Sequence, residues 1–470
     1  MKRVNEENEV KLQKNDELNI EIDDIGTEGE GIAHLNGYAL FIKDTLPGDY
    51  IRAKIIKTKK SYGYARMIEI IKPSTDRVEP KCPVARTCGG CQIQHLSYKK
   101  QLAFKQNKIK NCLTRIGKFP ESQIDAIMEP VMGMEEPYYY RNKAQFPIGK
   151  DKNGNLVAGF YVSRTHSIIH MPGCMIQAKV NEQILEVILD FMKKYNVEPY
   201  NEVAHKGLVR HVLTRVGYVT GELMVCLVIN GTTLPHADKL IAELVKIEGM
   251  KSISININKE RTNVILGNKV KTLWGEDYIV DYIDDVKYQI SPLSFYQVNP
   301  IQTKKLYETA LSFAGLTGNE VVWDLYCGIG TISLFLAKQA KMVYGVEIVP
   351  EAIDDANQNK KLNGISNVEF FTGAAEEILP VKYKESNGAM TADVIVVDPP
   401  RKGCEQTLLD TILNMVPKKV VYVSCDPATL ARDLKILCEG GYELKKVRGC
   451  DMFGHSGHVE TVCLLSRKDQ

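Results

Sequence analysis

The sequence predicts an α/β protein. Its C-terminal part reads as a Rossmann-like, mostly parallel sheet, preceded by a small N-terminal β-barrel and a central region of mixed α/β character. Three observations carry that prediction. From about residue 276 onward, short apolar runs alternate with helix-like segments, the rhythm of parallel strands covered on both faces. From Asn15 to Ile71, short alternating stretches are broken by glycines. Between the two, strand and helix patterns mix without a repeat.

In the first part, "NIEIDDIGTEGEGIAHLNGYALFIKDTLPGDYIRAKII" places turn signals at Gly26, Gly29, Gly31, Asn36-Gly37 and Pro47-Gly48, which suits a small barrel. "IKPSTDRVEP" follows as a proline-punctuated linker. The middle offers a hairpin around Thr220-Gly221 in "HVLTRVGYVTGELMVCLVI", a strand at "ISININ", and helical patterns at "NEQILEVILDFMKKYN" and "HADKLIAELVKI". The last part supplies the strands "EVVWDLY", "KMVYGVEI", "NVEFFTG", "ADVIVVDPP", "KKVVYVSCDP" and "HVETVCLLS". The resulting domain boundaries are 13–73, 74–275 and 276–470, and a helical segment at about 96–125 is a candidate to pack on the last domain.

The chain has 470 residues, 44% hydrophobic and 25% charged, an ordinary globular composition. Its charged N-terminus has no apolar leader segment, and no apolar run is long enough to cross a bilayer, so a cytoplasmic protein without membrane contact is expected. The net charge of +2 is not by itself a nucleic-acid signature. Its distribution says more. "RAKIIKTKKSYGYAR" (Arg52 to Arg66) and "YKKQLAFKQNKIKNCLTRIGK" (Tyr98 to Lys118) contain no acid, and the first interleaves two tyrosines. Lysine and arginine neutralise phosphates, and tyrosine rings stack on bases.

Twelve cysteines in a reducing compartment do not suit a disulfide framework. "CPVARTCGGC" sets Cys82, Cys88 and Cys91 at C-x5-C-x2-C, and Cys174 sits beside Pro172 and Gly173 in "HMPGCMIQ". Four thiolates suit a cubane iron–sulfur cluster or tetrahedral zinc, and the uneven spacing favours iron–sulfur over paired zinc knuckles.

"VVWDLYCGIGTISLFLA" runs a strand into Asp324, Tyr326, Gly328 and Gly330 and then into a helix, a turn that lets a ligand approach the backbone. A nicotinamide fingerprint would have a third glycine where Ser333 stands. Glu347 ends the next strand and can accept both hydroxyls of a ribose, so the pocket suits NAD or S-adenosylmethionine. Asp398 and Cys425 end two further strands, and a thiol beside a bound nucleoside points to covalent catalysis.

Together with "CPVARTCGGCQIQHLSYKKQLAFK", "YYYRNKAQFPIG", "GLVRHVLTR", "ISPLSFYQVNP", "VDPPRKG", "YVSCDPATLARDL" and "GHVETVCLL", these motifs make the chain resemble the S-adenosylmethionine-dependent RNA uracil-5-methyltransferases. In particular it resembles the 23S rRNA branch with an N-terminal TRAM domain and a 4Fe–4S cluster. The resemblance implies a class I methyltransferase domain behind an OB-like TRAM barrel. It implies that Gln297, Tyr326, Glu347 and Asp398 bind S-adenosylmethionine, that Cys425 is the nucleophile and that Glu460 is the general base. It also implies that Cys82, Cys88, Cys91 and Cys174 hold the cluster, and that Arg141 and Lys143 meet RNA. Thr331 and Ala374 depart from the pattern, since relatives often carry asparagine at the first and a polar adenine contact near the second. His455 and His458 read as loop residues.

The implied reaction is methyl transfer to C5 of a uridine in 23S rRNA, single-stranded or flipped, by a monomeric enzyme. Free cysteine titrates at about 8.5, so the helix beginning at "PATLARDL" is expected to favour the thiolate. Two other readings stand beside it. One is the same reaction on the T-loop of tRNA; the other is an RNA-binding assembly factor with a vestigial catalytic domain. Retention of Cys425, Glu460, Gln297 and Glu347 together argues against the second.

Overall fold

The computed structural model describes residues 12–163, 165–386 and 390–468. The N-terminal residues 1–11, where most of the charged N-terminal stretch falls, lie outside them. The chain divides into two compact units: Met1–Lys105 with Val162–Thr165 and Phe453–Gly457, and Gln106–Tyr161 with His166–Met452 and His458–Gln470.

The first unit is built on a six-stranded sheet in the order Glu17–Glu21, Tyr50–Thr58, Tyr62–Lys72, Tyr38–Ile42, Gly31–Leu35, Asp24–Ile25. Alternation drives one face inward: Leu18, Ile20, Leu40, Ile42, Ile51, Ala53 and Ile55 form a single core. Asn36-Gly37, both at positive φ, makes the tight turn between Gly31–Leu35 and Tyr38–Ile42. Where the sequence predicts a small barrel, the two outermost strands share no ladder among the described residues. Single hydrogen bonds, Ile22 N–H to Asp49 O and Asp23 N–H to Ile32 O, carry the chain from one edge to the other.

The second unit contains two large sheets. A seven-stranded one runs Ile168–His170, Leu156–Tyr161, Lys143–Lys150, Val209–Val216, Leu223–Ile229, Met250–Ile257, Lys269–Gly275. Val209–Val216 and Leu223–Ile229 form the hairpin expected around Thr220-Gly221. Helices Val180–Lys194 and Ala237–Leu244 bury Ile184, Leu185, Ile188, Leu240 and Leu244 against this sheet.

The eight-stranded sheet has the order Val368–Thr372, Met342–Glu347, Val321–Leu325, Val394–Val397, Lys419–Ser424, Glu460–Arg467, Tyr442–Cys450, Met128–Met132. Its first five strands are parallel, and Glu460–Arg467 runs antiparallel to both neighbours. Six of these strands are the ones the sequence names. The other two are additions: "YELKKVRGC" hides its alternation behind lysines and an arginine, and Met128–Met132 is short and comes from far upstream. Ile109, Leu113 and Ile124, from the helices before Met128, pack into the core of this same sheet. The strand order reverses between Val321–Leu325 and Val394–Val397, which opens a crevice at their carboxyl ends. Among the described residues no helix is long and apolar enough to cross a membrane.

Candidate active site

Strand register lines up the predicted residues along one rim. Leu325 pairs with Val346 on one side and Val397 on the other, so Tyr326, Glu347 and Asp398 are the next residues on three adjacent strands. Val397 pairs with Tyr422, and Ser424 pairs with Thr461 on the antiparallel strand. Cys425 therefore follows the end of one strand where Glu460 begins its neighbour. Adjacent strands lie about 4.8 Å apart, so this register brings five functional side chains to one edge of the sheet.

The cofactor end of the rim is a cavity of about 450 Å³ lined by Tyr307, Asp324, Tyr326, Glu347, Glu376 and Asp398 among others. Tyr326 adopts φ 72°, a left-handed conformation that a non-glycine residue holds only when its surroundings enforce it. Here its N–H and that of Cys327 both donate to Val346 O at 3.0 Å. Gly328 follows at φ 54° with open space where a Cβ would stand, so the backbone there faces the cavity unobstructed. Its N–H donates to Glu347 Oε2 at 3.2 Å, and Val349 N–H donates to Oε1 at 3.0 Å. These two bonds fix the carboxylate plane and leave lone pairs for a diol.

Ser333, read in the sequence as a missing third glycine, has a positive role. Its hydroxyl donates to Asp324 Oδ2, and both residues are fully buried. Asp324 Oδ1 has no hydrogen-bond partner, and burial pushes this carboxyl up to about 7. A buried acceptor on a cavity wall with four other carboxylates (Glu347, Glu376, Asp398 and Glu405) suits a cationic ligand such as the amino and sulfonium groups of S-adenosylmethionine. Sequence reasoning quoted Asp324 without assigning it; its place in the first strand before the glycine turn was the available signal. Thr331 and Ala374 also line the cavity. Thr331 accepts a hydrogen bond from the Tyr307 hydroxyl at 2.9 Å, so it is held by the protein.

Gln297 is not on this wall. Its carbonyl accepts from Asn142 Nδ2 at 3.0 Å, and from the same loop Phe295 reaches the cavity and is 69% exposed.

At the other end, Cys425 is half-buried, and its thiol is pushed up to about 11 by burial and by the charges of Glu460 and Asp398, with Arg401 opposing them. Glu460 is raised to about 8 by burial and by Asp398, again against Arg401. Asp398 is raised to about 6 by burial. This corrects the expectation that the following helix favours the thiolate. Helix Pro427–Glu439 is capped by Asp426, whose Oδ1 accepts from Ala428 N–H at 2.8 Å and Thr429 N–H at 3.1 Å. The free amides that would stabilise a thiolate are occupied by a carboxylate.

That helix does something else: it clamps the loop after Asp398. Asp433 Oδ2 accepts from Cys404 N–H at 2.8 Å and from the Tyr422 hydroxyl at 2.6 Å. Arg432 donates to Lys402 O at 3.0 Å and Cys404 O at 3.2 Å, and the Thr429 hydroxyl donates to Arg401 O at 3.1 Å. The loop carrying Arg401 is thereby tied to the helix that follows Cys425.

The remaining predicted residues divide between the two units. Cys82, Cys88 and Cys91 belong to the first unit and Cys174 to the second. All four are half-buried, and the Cys88 sulfur accepts from Gly90 N–H at 3.4 Å. Among the described residues no three histidine, cysteine or acidic side chains gather into a group that could hold a metal ion. Lys143 lies in register with Arg215, and burial, then the charges of Arg215 and Arg141, push it down to about 7. His455 is buried in the first unit, its Nδ1 3.2 Å from Gln101 Nε2, a packing role. His458 is half-buried in the second unit.

A parallel sheet with an acidic cavity of this size at its switch point, and a cysteine beside two carboxyl groups on the same rim, is the arrangement of a cofactor-dependent group-transfer enzyme. Residues 97–468 match the family model described as tRNA (Uracil-5-)-methyltransferase, and residues 11–68 match the TRAM domain. The chain belongs to this uracil-5-methyltransferase family and is an S-adenosylmethionine-dependent RNA methyltransferase with an N-terminal TRAM domain. It is 52% identical over 459 residues to an uncharacterized RNA methyltransferase of Halalkalibacterium halodurans, covering 97% of this chain and 98% of that one. It is 50% identical over 462 residues to one of Clostridium acetobutylicum, covering 98% and 99%. Among solved structures it is similar to the Pyrococcus abyssi tRNA (uracil-54, C5)-methyltransferase in complex with S-adenosyl-L-homocysteine. That match has a TM-score of 0.77 at 28% identity and covers 95% of this chain and 99% of that one.

Proposed function

We propose that the enzyme methylates C5 of a specific uridine in 23S rRNA through a covalent bond between Cys425 and C6. The observation that carries the mechanism is the rim itself: register places Cys425, Glu460 and Asp398 at one edge, beside the cavity. Carbon 5 of uracil is a weak nucleophile. Attack of the Cys425 sulfur on C6 creates an enolate whose C5 can take the methyl group. Glu460 then removes the C5 proton and the thiolate leaves. Tyr326, Glu347 and Asp398 hold S-adenosylmethionine, with Asp324 accepting from its amino group, and Gln297 contributes from the adjoining loop. When bound, that group supplies the methyl and a positive charge that offsets the carboxylates around the thiol. Arg401, the cation opposing those carboxylates, is suited to steady the anions that form. Arg141 and Lys143 meet the RNA, and a phosphate there would restore full protonation of Lys143, which burial and the charges of Arg215 and Arg141 hold down.

The rRNA substrate rests on the resemblance to the TRAM-bearing rRNA branch, in which the six-stranded sheet is read as an OB-like barrel. A tRNA T-loop substrate is the second reading, favoured by the similarity along nearly the whole chain to the Pyrococcus abyssi tRNA enzyme. Mass spectrometry of rRNA and tRNA from a deletion strain separates them. Loss of 5-methyluridine from 23S rRNA alone is expected. Loss from tRNA alone would replace the first reading with the second, and no loss in either would leave the non-catalytic reading.

We further propose that Cys82, Cys88, Cys91 and Cys174 hold a 4Fe–4S cluster with a structural role, on the strength of their spacing and half-burial. The arrangement of the side chains adds nothing to that case, because among the described residues no group of three or more histidine, cysteine or acidic side chains that could hold a metal ion is present. No step of the methyl transfer passes through the cluster. Anaerobically purified protein is expected to contain about four iron and four sulfide per chain; stoichiometric zinc would contradict the assignment. The enzyme is proposed to act as a cytoplasmic monomer.

A further inference from the structure

The loop that brings Phe295 to the cofactor cavity is held by residues of the seven-stranded sheet. It spans 291–299, between strand Val286–Ile290 and helix Pro300–Ala314, and carries Gln297 two residues after Phe295. Two residues grip its backbone. Arg215, on strand Val209–Val216 and only 2% exposed, donates through Nη2 to Ser294 O and, at 3.5 Å, to Pro292 O. Asn142, immediately before strand Lys143–Lys150, donates its N–H to Val298 O at 2.9 Å and its Nδ2 to Gln297 O at 3.0 Å. The gripped carbonyls therefore stand on either side of Phe295. A further hold comes from helix Pro350–Leu362 beside the cofactor sheet, where Asp355 Oδ2 accepts from the Ser294 hydroxyl at 2.8 Å.

The same two residues adjoin the cations proposed to meet RNA. Asn142 lies between Arg141 and Lys143 in the chain, and Arg215 is the register partner of Lys143. Side chains opposite each other on antiparallel strands leave the same face, with Cβ atoms about 5 Å apart. Val216 N–H donates to Asn142 O at 2.8 Å, which ties the two anchors together. No carboxylate pairs with Arg215 or Lys143 among the described residues. Like charges directly opposite destabilise each other, so the pair works against the seat of the Arg215 guanidinium. A phosphate beside Lys143 cancels that repulsion and lets Arg215 settle on the loop carbonyls. A loop already fixed where Phe295 meets the cavity binds a cofactor more tightly than one that must first be ordered.

We propose that Arg215 and Asn142 are positioning residues that couple the two substrates: an RNA phosphate at Lys143 strengthens their grip on loop 291–299, so RNA and S-adenosylmethionine each tighten the binding of the other. The proposal rests on the reading above in which Arg141 and Lys143 meet RNA.

The test uses the full chain, S-adenosylhomocysteine (which has no methyl group to transfer) and a single-stranded oligouridylate of about twelve nucleotides. Saturating RNA should tighten S-adenosylhomocysteine binding, measured by calorimetry, about fivefold or more, and saturating S-adenosylhomocysteine should tighten RNA binding by the same factor. Arg215→Lys keeps the charge and loses the planar fork. It should weaken S-adenosylhomocysteine binding severalfold and bring the coupling factor close to one, while RNA affinity without cofactor stays at the parent value. Asn142→Ala should do the same. Lys143→Gln should lower the slope of log RNA affinity against log salt by about 0.7, one single-strand phosphate contact, and remove the coupling without weakening S-adenosylhomocysteine binding to the RNA-free protein. A buried arginine that serves stability alone would leave the coupling factor where it was.

The proposal is overturned if RNA does not change the parent's affinity for S-adenosylhomocysteine, or if Arg215→Lys retains the parent's coupling factor. Should Arg215→Lys fail to fold, Asn142→Ala and Lys143→Gln decide by the same criterion. The two readings fail differently. Lys143→Gln with the parent's RNA affinity and salt slope would overturn the RNA contact itself, whereas weakened RNA binding with the coupling intact would overturn only the link to the loop.

Discussion

Replacing Cys425 with alanine is expected to lower methyl transfer by on the order of 10⁴-fold or more and to abolish covalent capture of RNA containing 5-fluorouridine. Fluorine at C5 cannot leave as a proton, so an enzyme that bonds C6 through sulfur stays attached to the methylated base. Without the sulfur there is no enolate, and C5 has no means of displacing the methyl group. Binding of S-adenosylmethionine, measured by calorimetry, should be unchanged, because Cys425 is not on the wall of the cavity. Capture that persists in the alanine variant would move the nucleophile elsewhere. The thiol's elevated value of about 11 makes a second point. The free enzyme holds Cys425 as a thiol, so alkylation by iodoacetamide should be slow in the apo protein and faster once S-adenosylmethionine brings its positive charge among the carboxylates.

Glu460→Gln is expected to cut turnover 10²- to 10⁴-fold while leaving methyl transfer itself largely intact. The variant should then accumulate methylated RNA still bonded to the protein, visible on a denaturing gel with ordinary uridine substrate and no fluorine. The pH dependence follows from the site. A base must be ionised, and burial with the nearby Asp398 charge raises Glu460 to about 8. Below that value the ionised fraction rises tenfold per pH unit, so release of product from the wild type should accelerate from pH 6 to 8 and then level. The glutamine variant has nothing to titrate at that position and should show no such rise. A variant that turns over at the wild-type rate would remove Glu460 from the mechanism.

Much of the site was legible because it depends on strand ends. In "VVWDLYCGIG", "VIVVDPP" and "VVYVSCDP" a β-branched run stops at a polar residue, and parallel register then puts those residues side by side. Glu460 was harder, since it opens an antiparallel strand instead of closing a parallel one; only the motif "GHVETV" pointed to it. The thiolate argument failed for a reason also present in the sequence. Asp426, directly after Cys425, is a strong N-cap residue and takes the helix amides for itself. Ser333 was rightly read as a departure from the nicotinamide fingerprint, but its bond to Asp324 leaves no mark in the sequence. Met128–Met132 could not be anticipated: five residues pairing with a strand more than three hundred positions later leave no local pattern. The cysteines mark the other boundary of such reading. Spacing suggests a ligand set, but convergence of side chains is a property of tertiary structure, and among the described residues no group of three or more that could hold a metal ion is present.

The central claim is that Cys425 attacks the base, and peptide mapping tests it most directly. Wild-type protein is incubated with S-adenosylmethionine and RNA carrying 5-fluorouridine, then digested with nuclease and protease, and the modified peptide is sequenced by mass spectrometry. The predicted result is one adduct, a methylated fluorouridine nucleotide on the peptide containing Cys425. An adduct on any other of the twelve cysteines, or methylated RNA with no adduct at all, would contradict it.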